Sequence, residues 1–183
     1  MEKFIKYMPM AGFPAKKGYA IQFGLSDRRG KWVATAEMAP QVKDKPPSGS
    51  KESPFDWSDG AKIFAMLDAF ELGQGLAVMN GARKEEKIIH KFPMDAEASK
   101  QTTTSLTFTA SDTGDLGIGM QQKTPNDKEF RRYNIFIKPD EVEVLRIIFR
   151  KMIETIYFER PVKMISGALN KFDLKESVSD KVS

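Results

Sequence analysis

The stretch that decides the fold is residues 130–156, which read FRRYNIFIKPDEVEVLRIIFRKMIETI. From Phe130 to Lys138, apolar and polar side chains alternate as they do in a half-buried β-strand. Pro139 then suits the first position of a helix, and Asp140 and Glu141 suit the positive end of its dipole. The stretch therefore predicts a strand that leads directly into a helix.

The helix after Pro139 carries one wide apolar stripe and keeps its charged residues mostly off that stripe. The stripe consists of Val142, Leu145, Ile148, Phe149, Met152, Ile153 and Ile156. Such a stripe predicts that the helix covers one side of a sheet.

Upstream of this stretch the chain repeats the same arrangement of strands and a helix. Apolar spacing predicts a first helix that is capped by Ser58, carries Ile63, Met66, Leu67 and Phe70, and has Gly73 just past its end. The other β-like runs are residues 4–10, 18–25, 31–38, 75–79, 85–92, 102–110 and 116–122. The order predicts an α+β fold with two antiparallel β-sheets, each followed by an amphipathic helix, without a residue-level repeat between the halves.

Length and composition limit the organisation to one domain. The chain has 183 residues, and 40% of them are hydrophobic, enough to fill a core. We expect a single domain over residues 1–160, with a mobile, proline-rich loop at about 39–54. Residues 161–183 are expected to form a short helix and a polar, disordered tail.

Composition also excludes several kinds of chemistry. The chain has no cysteine and one histidine, His90, so it lacks a thiolate nucleophile and a cysteine-based metal site. We expect His90 on a strand surface, with no catalytic residue, metal or cofactor. No run is long and apolar enough to span a membrane, and the charged N-terminus does not suit a secretory signal, which predicts a cytoplasmic protein.

One face of the second predicted sheet is polar, has little bulk and is almost free of acids. It is formed by Thr103, Ser105, Thr107, Thr109, Gly117, Gly119, Gln121, Arg132 and Asn134. These side chains suit contacts with phosphates and base edges, and the net charge of +4 mildly favours a polyanion. The alternative is an ordinary solvated face of an antiparallel sheet.

Aromatic residues also alternate with basic ones, a combination that stacks bases and neutralises phosphates. Each aromatic has the alternative of a core position beside an exposed turn. The candidate nucleic-acid-binding residues are Lys16, Lys17, Tyr19, Phe23, Arg28, Arg29, Lys31, Trp32, Arg83, Lys84, Lys87, Lys91, Phe92, Thr107, Lys123, Arg131 and Arg132.

Residues 55–158 resemble the Whirly proteins and the related single-stranded DNA-binding fold of the positive-cofactor-four type. The resemblance rests on four features: the segment Phe55–Gly60, the basic patch Lys84–Lys91, the hairpin Ser105–Met120, and the strand that enters Pro139–Leu145. It implies two four-stranded antiparallel sheets packed crosswise, each followed by a helix. It also implies helix-mediated dimers or tetramers that bind single strands along their sheets, here in a bacterial, archaeal or viral setting.

These observations together favour a non-enzymatic, sequence-tolerant binder of single-stranded DNA in replication, recombination or repair. Three alternatives stay open: an RNA-binding protein of the same fold, an oligomeric scaffold without nucleic-acid affinity, and a magnesium enzyme. The acids for that enzyme would be Asp112, Asp115, Asp127 and Glu129, which also fit solubilising turns. The C-terminal tail either recruits protein partners or is merely disordered.

Overall fold

The computed structural model describes residues 7–14, 18–28, 30–42 and 53–158, and the side chains of these residues except those of 7–11 and 14. Three of the candidate binding residues, Lys16, Lys17 and Arg29, lie outside the described residues. The same holds for most of the loop predicted at 39–54 and for the predicted C-terminal helix and tail.

The first sheet is antiparallel, and its strands lie in chain order. They are β1 (Tyr7–Pro14), β2 (Tyr19–Arg28), β3 (Lys31–Pro40) and β4 (Ile63–Leu67). In the turn between β2 and β3, the backbone N–H of Gly30 donates to Oδ1 of Asp27 over 2.8 Å. The helix α1 (Ala69–Met79) follows β4.

The second sheet repeats this arrangement. It contains β5 (Glu85–Phe92), β6 (Thr102–Ala110), β7 (Leu116–Lys123) and β8 (Arg131–Ile137), again antiparallel and in chain order. A short 3₁₀ helix (Ala98–Lys100) precedes β6, and a long helix, α2, occupies residues 139–158. The prediction of two antiparallel sheets, each followed by a helix, is confirmed. None of the helices in the described ranges is long and apolar enough to cross a membrane.

The predicted position of the first helix is wrong, because its first half is strand β4. Ile63 and Leu67 are spaced as on a helix, but a spacing of four also keeps two residues on one face of a strand. Ala65 between them is buried too, whereas Met66 is exposed, and that alternation belongs to a strand. Ser58 is not the helix cap; its backbone N–H donates to Oδ1 of Asp56 instead.

The helix begins at Asp68, where a capping box fixes its start. Oδ1 of Asp68 accepts from the N–H of Glu71 over 2.8 Å, and the Glu71 carboxylate accepts from the N–H of Asp68 over 2.9 Å. The strand predicted at 75–79 is therefore also wrong, since these residues continue α1. Strand β1 covers Tyr7–Pro14, so it continues four residues past the predicted end at residue 10, while residues 4–6 lie outside the described residues.

Both sheets contribute to one core, and α2 lies where their inner faces meet. The ring of Phe149 packs edge-on against Phe23 of β2 and Phe108 of β6, with centroid distances of 5.0 and 5.9 Å. Every residue of the predicted α2 stripe is buried or partly buried in this core. Away from α2, the two sheets also contact each other through stacked rings of Tyr19 and Tyr133, 4.8 Å apart. The outer faces of the sheets point away from this core.

Candidate nucleic-acid interface

Strand register divides the second sheet into an inner and an outer face. Residues paired across antiparallel strands share a face, so the buried pairs Leu106–Met120 and Ile118–Ile135 define the inner face. We call the outer face the basic face. It consists of Glu85, Lys87, Ile89, Lys91, Thr103, Ser105, Thr107, Thr109, Gly117, Gly119, Gln121, Lys123, Arg132, Asn134 and Phe136.

The cations of the basic face lie along its edges and at one end, around a polar centre. Lys87 and Lys91 lie on the edge strand β5, and Arg132 lies on the opposite edge strand β8. Three strand spacings separate these edges, which is about 14 Å. Between them lie short side chains such as Thr107 and glycines such as Gly119, so the middle of the face is shallow.

The basic face has an excess of positive charge. In the described residues, none of Lys87, Lys91, Lys123 and Arg132 forms an ion pair. Lys123 instead lies over the ring of Phe130, with Nζ 5.8 Å from the centroid. The one acid among the described side chains of this face is Glu85, at a corner. An extended polyanion would therefore meet little repulsion here.

The structure places five of the predicted binding residues together on this face: Lys87, Lys91, Thr107, Lys123 and Arg132. Lys84 is exposed next to it, while Arg83 forms an ion pair with Glu86. Phe92 is exposed at the end of β5, but its register puts it on the other side of that strand. Arg28 and Lys31 are exposed on the first sheet, at the β2–β3 turn.

Two predicted stacking residues are core residues. Phe23 has 0% and Trp32 has 5% of its surface exposed, and the register of β2 and β3 points both toward the other sheet. Tyr19 is partly buried and stacked on Tyr133. The three rings thus contribute to the packing of the two sheets.

Arg131 also performs a different task from its neighbour Arg132. Its guanidinium donates to the carbonyl oxygen of Gly60 over 2.6 Å and to Oε1 of Gln122 over 2.7 Å. Tyr133, which faces the same side, donates to the carbonyl oxygen of Ala61 over 2.7 Å, and burial raises the pKa of its phenol. Arg131 thus connects the second sheet to the segment before β4, on the side opposite the basic face.

The arrangement of the two sheets is similar to that in several solved structures. WHY1 from Arabidopsis thaliana superposes with a TM-score of 0.65 over 84% of this chain and 92% of its own, at 15% identity. The chain has a Whirly-like fold. The plant transcriptional regulator PBF-2 superposes with a TM-score of 0.60, at 13% identity, over 94% of this chain and 90% of its own.

A solved structure with a different description is also similar to this chain. A guide-RNA-binding protein complex bound to a guide RNA superposes with a TM-score of 0.52, at 10% identity, over 84% of this chain and 92% of its own. No protein-family profile matches the chain, and no curated protein matches it in sequence. The Whirly-like fold is thus seen in the arrangement of its elements, which agrees with the resemblance that the motifs indicated.

Sequence reasoning did not include two exposed apolar residues of the basic face among the candidates. Phe136 on β8 is 72% exposed, and Ile89 on β5 is also exposed. The signal for Phe136 was present in the alternation, because Tyr133, Ile135 and Ile137 on the inner side force Phe136 outward. In this Whirly-like fold the basic face therefore combines cations at its edges with an exposed ring.

The groove between β4 and the end of β5 adjoins the basic face. It has a volume of about 610 Å³ and is lined by apolar side chains that include Phe64, Met66 and Met94. His90 sits beside it, with Nε2 2.6 Å from Oε1 of Glu71, so the single histidine of this Whirly-like chain faces helix α1. Among the described residues, no cluster of acids and histidine is arranged to hold a metal ion.

Proposed function

We propose that the protein binds single-stranded nucleic acid on the basic face, with DNA as its principal ligand and without catalysing a reaction. The observation that carries this proposal is the set of four cations, Lys87, Lys91, Lys123 and Arg132, on one sheet face, none of which forms an ion pair among the described residues. Such cations neutralise phosphates and release bound counterions, which supplies affinity without reading sequence.

The shape of the face favours a single strand over a duplex. A sheet face with a shallow middle and with exposed Phe136 and Ile89 contacts the faces of unpaired bases, which a duplex hides between its stacked pairs. Both described α-helices pack into the core rather than onto the basic face, so neither is placed there to enter a major groove. Binding would therefore combine phosphate contacts with stacking.

The comparisons support nucleic-acid binding and leave two ligands to be compared. One similar structure is described as a complex bound to guide RNA, and another as a transcriptional regulator. RNA is thus the second candidate, although no group of the basic face is dedicated to a 2′-hydroxyl. For DNA, we propose a role in replication, recombination or repair, in the cytoplasm.

We further propose that the protein assembles into a homo-oligomer through the solvent side of α2. Val144, Ile147, Tyr157 and Phe158 are exposed on that helix, outside the stripe that packs into the core. Val144 and Ile147, one turn apart, and Tyr157 and Phe158, adjacent in sequence, thus form two exposed apolar groups, and such groups occur at interaction sites. A second copy would extend the binding surface available to one strand.

The test is fluorescence anisotropy of a labelled single-stranded DNA of about 30 nucleotides across a salt series. Unlabelled DNA, RNA and duplex of equal length serve as competitors. The proposal predicts displacement by single strands much more than by duplex, and an affinity that falls steeply with salt. Absence of binding even at low salt would contradict it, and stronger competition by RNA than by DNA would exchange the two candidates.

A further inference from the structure

We propose that Phe136 and Gly117 form a stacking site for one unpaired nucleobase at the corner of the basic face. This inference rests on the proposed function and specifies which group of the ligand this corner receives. It rests on the geometry of two neighbouring strands, because side chains of β8 lie against glycines of β7.

The ring of Phe136 lies against a position that has no side chain. A β-carbon built on Gly117 would lie 3.4 Å from Cε1 and 3.7 Å from Cδ1 of that ring. The ring thus lies directly beside the space that a side chain at position 117 would occupy, the arrangement in which an aromatic side chain covers a glycine of the neighbouring strand. With 72% of its surface exposed, the ring is both supported from below and open above.

In the next pair of residues across these strands, a polar side chain takes the place of the ring beside a glycine. The amide of Asn134 lies over Gly119, and its Oδ1 is 2.7 Å from the position that a β-carbon of residue 119 would take. Asn134 follows Phe136 on the same side of β8, about 6.7 Å away along the strand, and Arg132 follows at the same interval. A ring, an amide and a guanidinium are therefore aligned along one strand.

This order of groups matches the parts of one nucleotide. The ring offers a surface for the face of a base, the amide both donates and accepts hydrogen bonds at a base edge, and the guanidinium binds a phosphate. Stacking on an aromatic ring needs an unpaired base, because paired bases stack on each other. The corner would thus contribute to the preference for single strands.

Other aromatic residues near the basic face do not provide this surface. Lys123 already lies over the ring of Phe130. Tyr133 faces the inner side and stacks on Tyr19, and Phe92 points away from the face. Among the described residues, no aromatic ring or cation is stacked on Phe136.

The experiment separates contacts to bases from contacts to phosphates. The full chain and its Phe136→Ala variant are titrated with labelled dT oligomers of 30 nucleotides and with abasic oligomers that have the same number of phosphates. We expect Phe136→Ala to bind the dT oligomer about 10-fold more weakly and the abasic oligomer unchanged. An equal change for both oligomers, or no change for either, would overturn the stacking site.

Two further variants keep the result interpretable. Gly117→Val retains the ring of Phe136 but places a side chain in the space beside which the ring lies. A β-branched residue suits a strand, so we expect this variant to fold and to lose affinity for the dT oligomer alone. Phe70→Ala is the matched control, because Phe70 is likewise 72% exposed but lies on α1; it should bind both oligomers like the unmodified protein. If Gly117→Val binds the dT oligomer like the unmodified protein, the position of the Phe136 ring beside Gly117 has no role in binding and the inference is wrong.

The failure of this inference is distinguishable from failure of the proposed function. If the unmodified protein binds dT and abasic oligomers equally and with a steep salt dependence, phosphate binding stands and the stacking site falls. If it binds neither oligomer at low salt, the proposed function falls and the stacking site with it.

Discussion

The outer faces of the two sheets have the same topology but opposite electrostatic organisation. On the first sheet, Glu37 occupies the middle of the face; it accepts from Gln22 over 2.5 Å and pairs with Lys62 over 3.2 Å. On the second sheet, the central positions are threonine, serine and glycine, and the described residues give Lys87 and Arg132 no ion-pair partner. The fold alone therefore does not decide which sheet meets a polyanion; the outward side chains do.

The largest expected effect comes from removing the cations of the basic face. Replacing Lys87, Lys91, Lys123 and Arg132 by alanine should weaken binding to single-stranded DNA by about 100-fold or more at 0.1 M salt. The slope of log affinity against log salt should become shallower by about 3, since each lost phosphate contact accounts for about 0.7 with a single strand. Anisotropy titrations across a salt series measure both quantities.

The matched control removes the same charge from other surfaces. Arg28, Lys31, Lys100 and Lys138 are exposed on the first sheet, in the 3₁₀ helix and before α2, and their replacement by alanine also lowers the net charge by four. We expect at most a few-fold loss of affinity from this control. Equal losses in the two quadruple variants would show that overall charge, rather than the basic face, governs binding.

The strand that leads into α2 could be predicted almost to the residue, because a single pattern governs each of its parts. Alternation is unambiguous where Tyr133, Ile135 and Ile137 face a core, and Pro139 can begin a helix but not continue a strand. For residues 63–79 the local pattern is ambiguous. The spacing of Ile63 and Leu67 fits both a helix and a strand. The capping signal Asp68–Glu71 was not recognised, because apolar residues at helical spacing already precede it.

The glycines of α1 show why the rest needed the tertiary structure. Gly75 weakens a helix in isolation, so its neighbourhood resembled a strand. In the fold, a β-carbon at Gly75 would lie 3.0 Å from Phe149 and 3.2 Å from Phe108, so a larger residue here would press on both rings of the core. Contacts between residues so distant in the chain leave no local periodicity to detect.

The candidate site was predicted in part for a similar reason. Thr107, Gly119 and Arg132 could be assigned to one face because register follows from alternation. The two aromatics Phe23 and Trp32 could not, because a strand pattern states which residues share a face but not which face is covered. Burial by the second sheet decides that question.

Replacing Arg131 or Arg132 should have an effect of intermediate size. The two variants test whether these arginines act on opposite faces of the second sheet. Arg131→Ala should lower the free energy of unfolding by about 1 to 3 kcal/mol, because the carbonyl of Gly60 and the amide of Gln122 lose a charged donor. Its salt slope for DNA binding should stay unchanged. Arg132→Ala should leave stability unchanged and make the slope shallower by about 0.7.

Urea unfolding and anisotropy titrations on the two variants check this prediction directly. Adjacent residues of the same type provide each other's control, since size, charge and position along the chain are nearly equal. If Arg131→Ala reduces the salt slope while its stability is unchanged, Arg131 contacts the ligand and the division between the faces is wrong.

The smallest expected effect concerns the ion pair that neutralises the first sheet. Burial alone would lower the pKa of Lys62, but hydrogen bonds and attraction from Asp59 and Glu37 outweigh it and raise the pKa above 10.5. A raised pKa means that this stabilisation is fully present below the ordinary lysine pKa and is lost as the pH rises through the folded value. Glu37→Gln should therefore reduce the free energy of unfolding by less than about 1 kcal/mol at pH 8, because Lys62 remains partly exposed.

That small difference should shrink as the pH rises past 10.5, which urea unfolding of both proteins at pH 8 and at pH above 11 would measure. A difference that stays constant with pH would mean that the shape of Glu37, rather than its charge, matters.

The same variant tests the comparison between the sheets, because it removes the central acid of the first face. If DNA affinity then changes by less than about 2-fold, the first face lies outside the path of the strand. A clear gain would instead mean that Glu37 was the group that kept the strand off the first sheet.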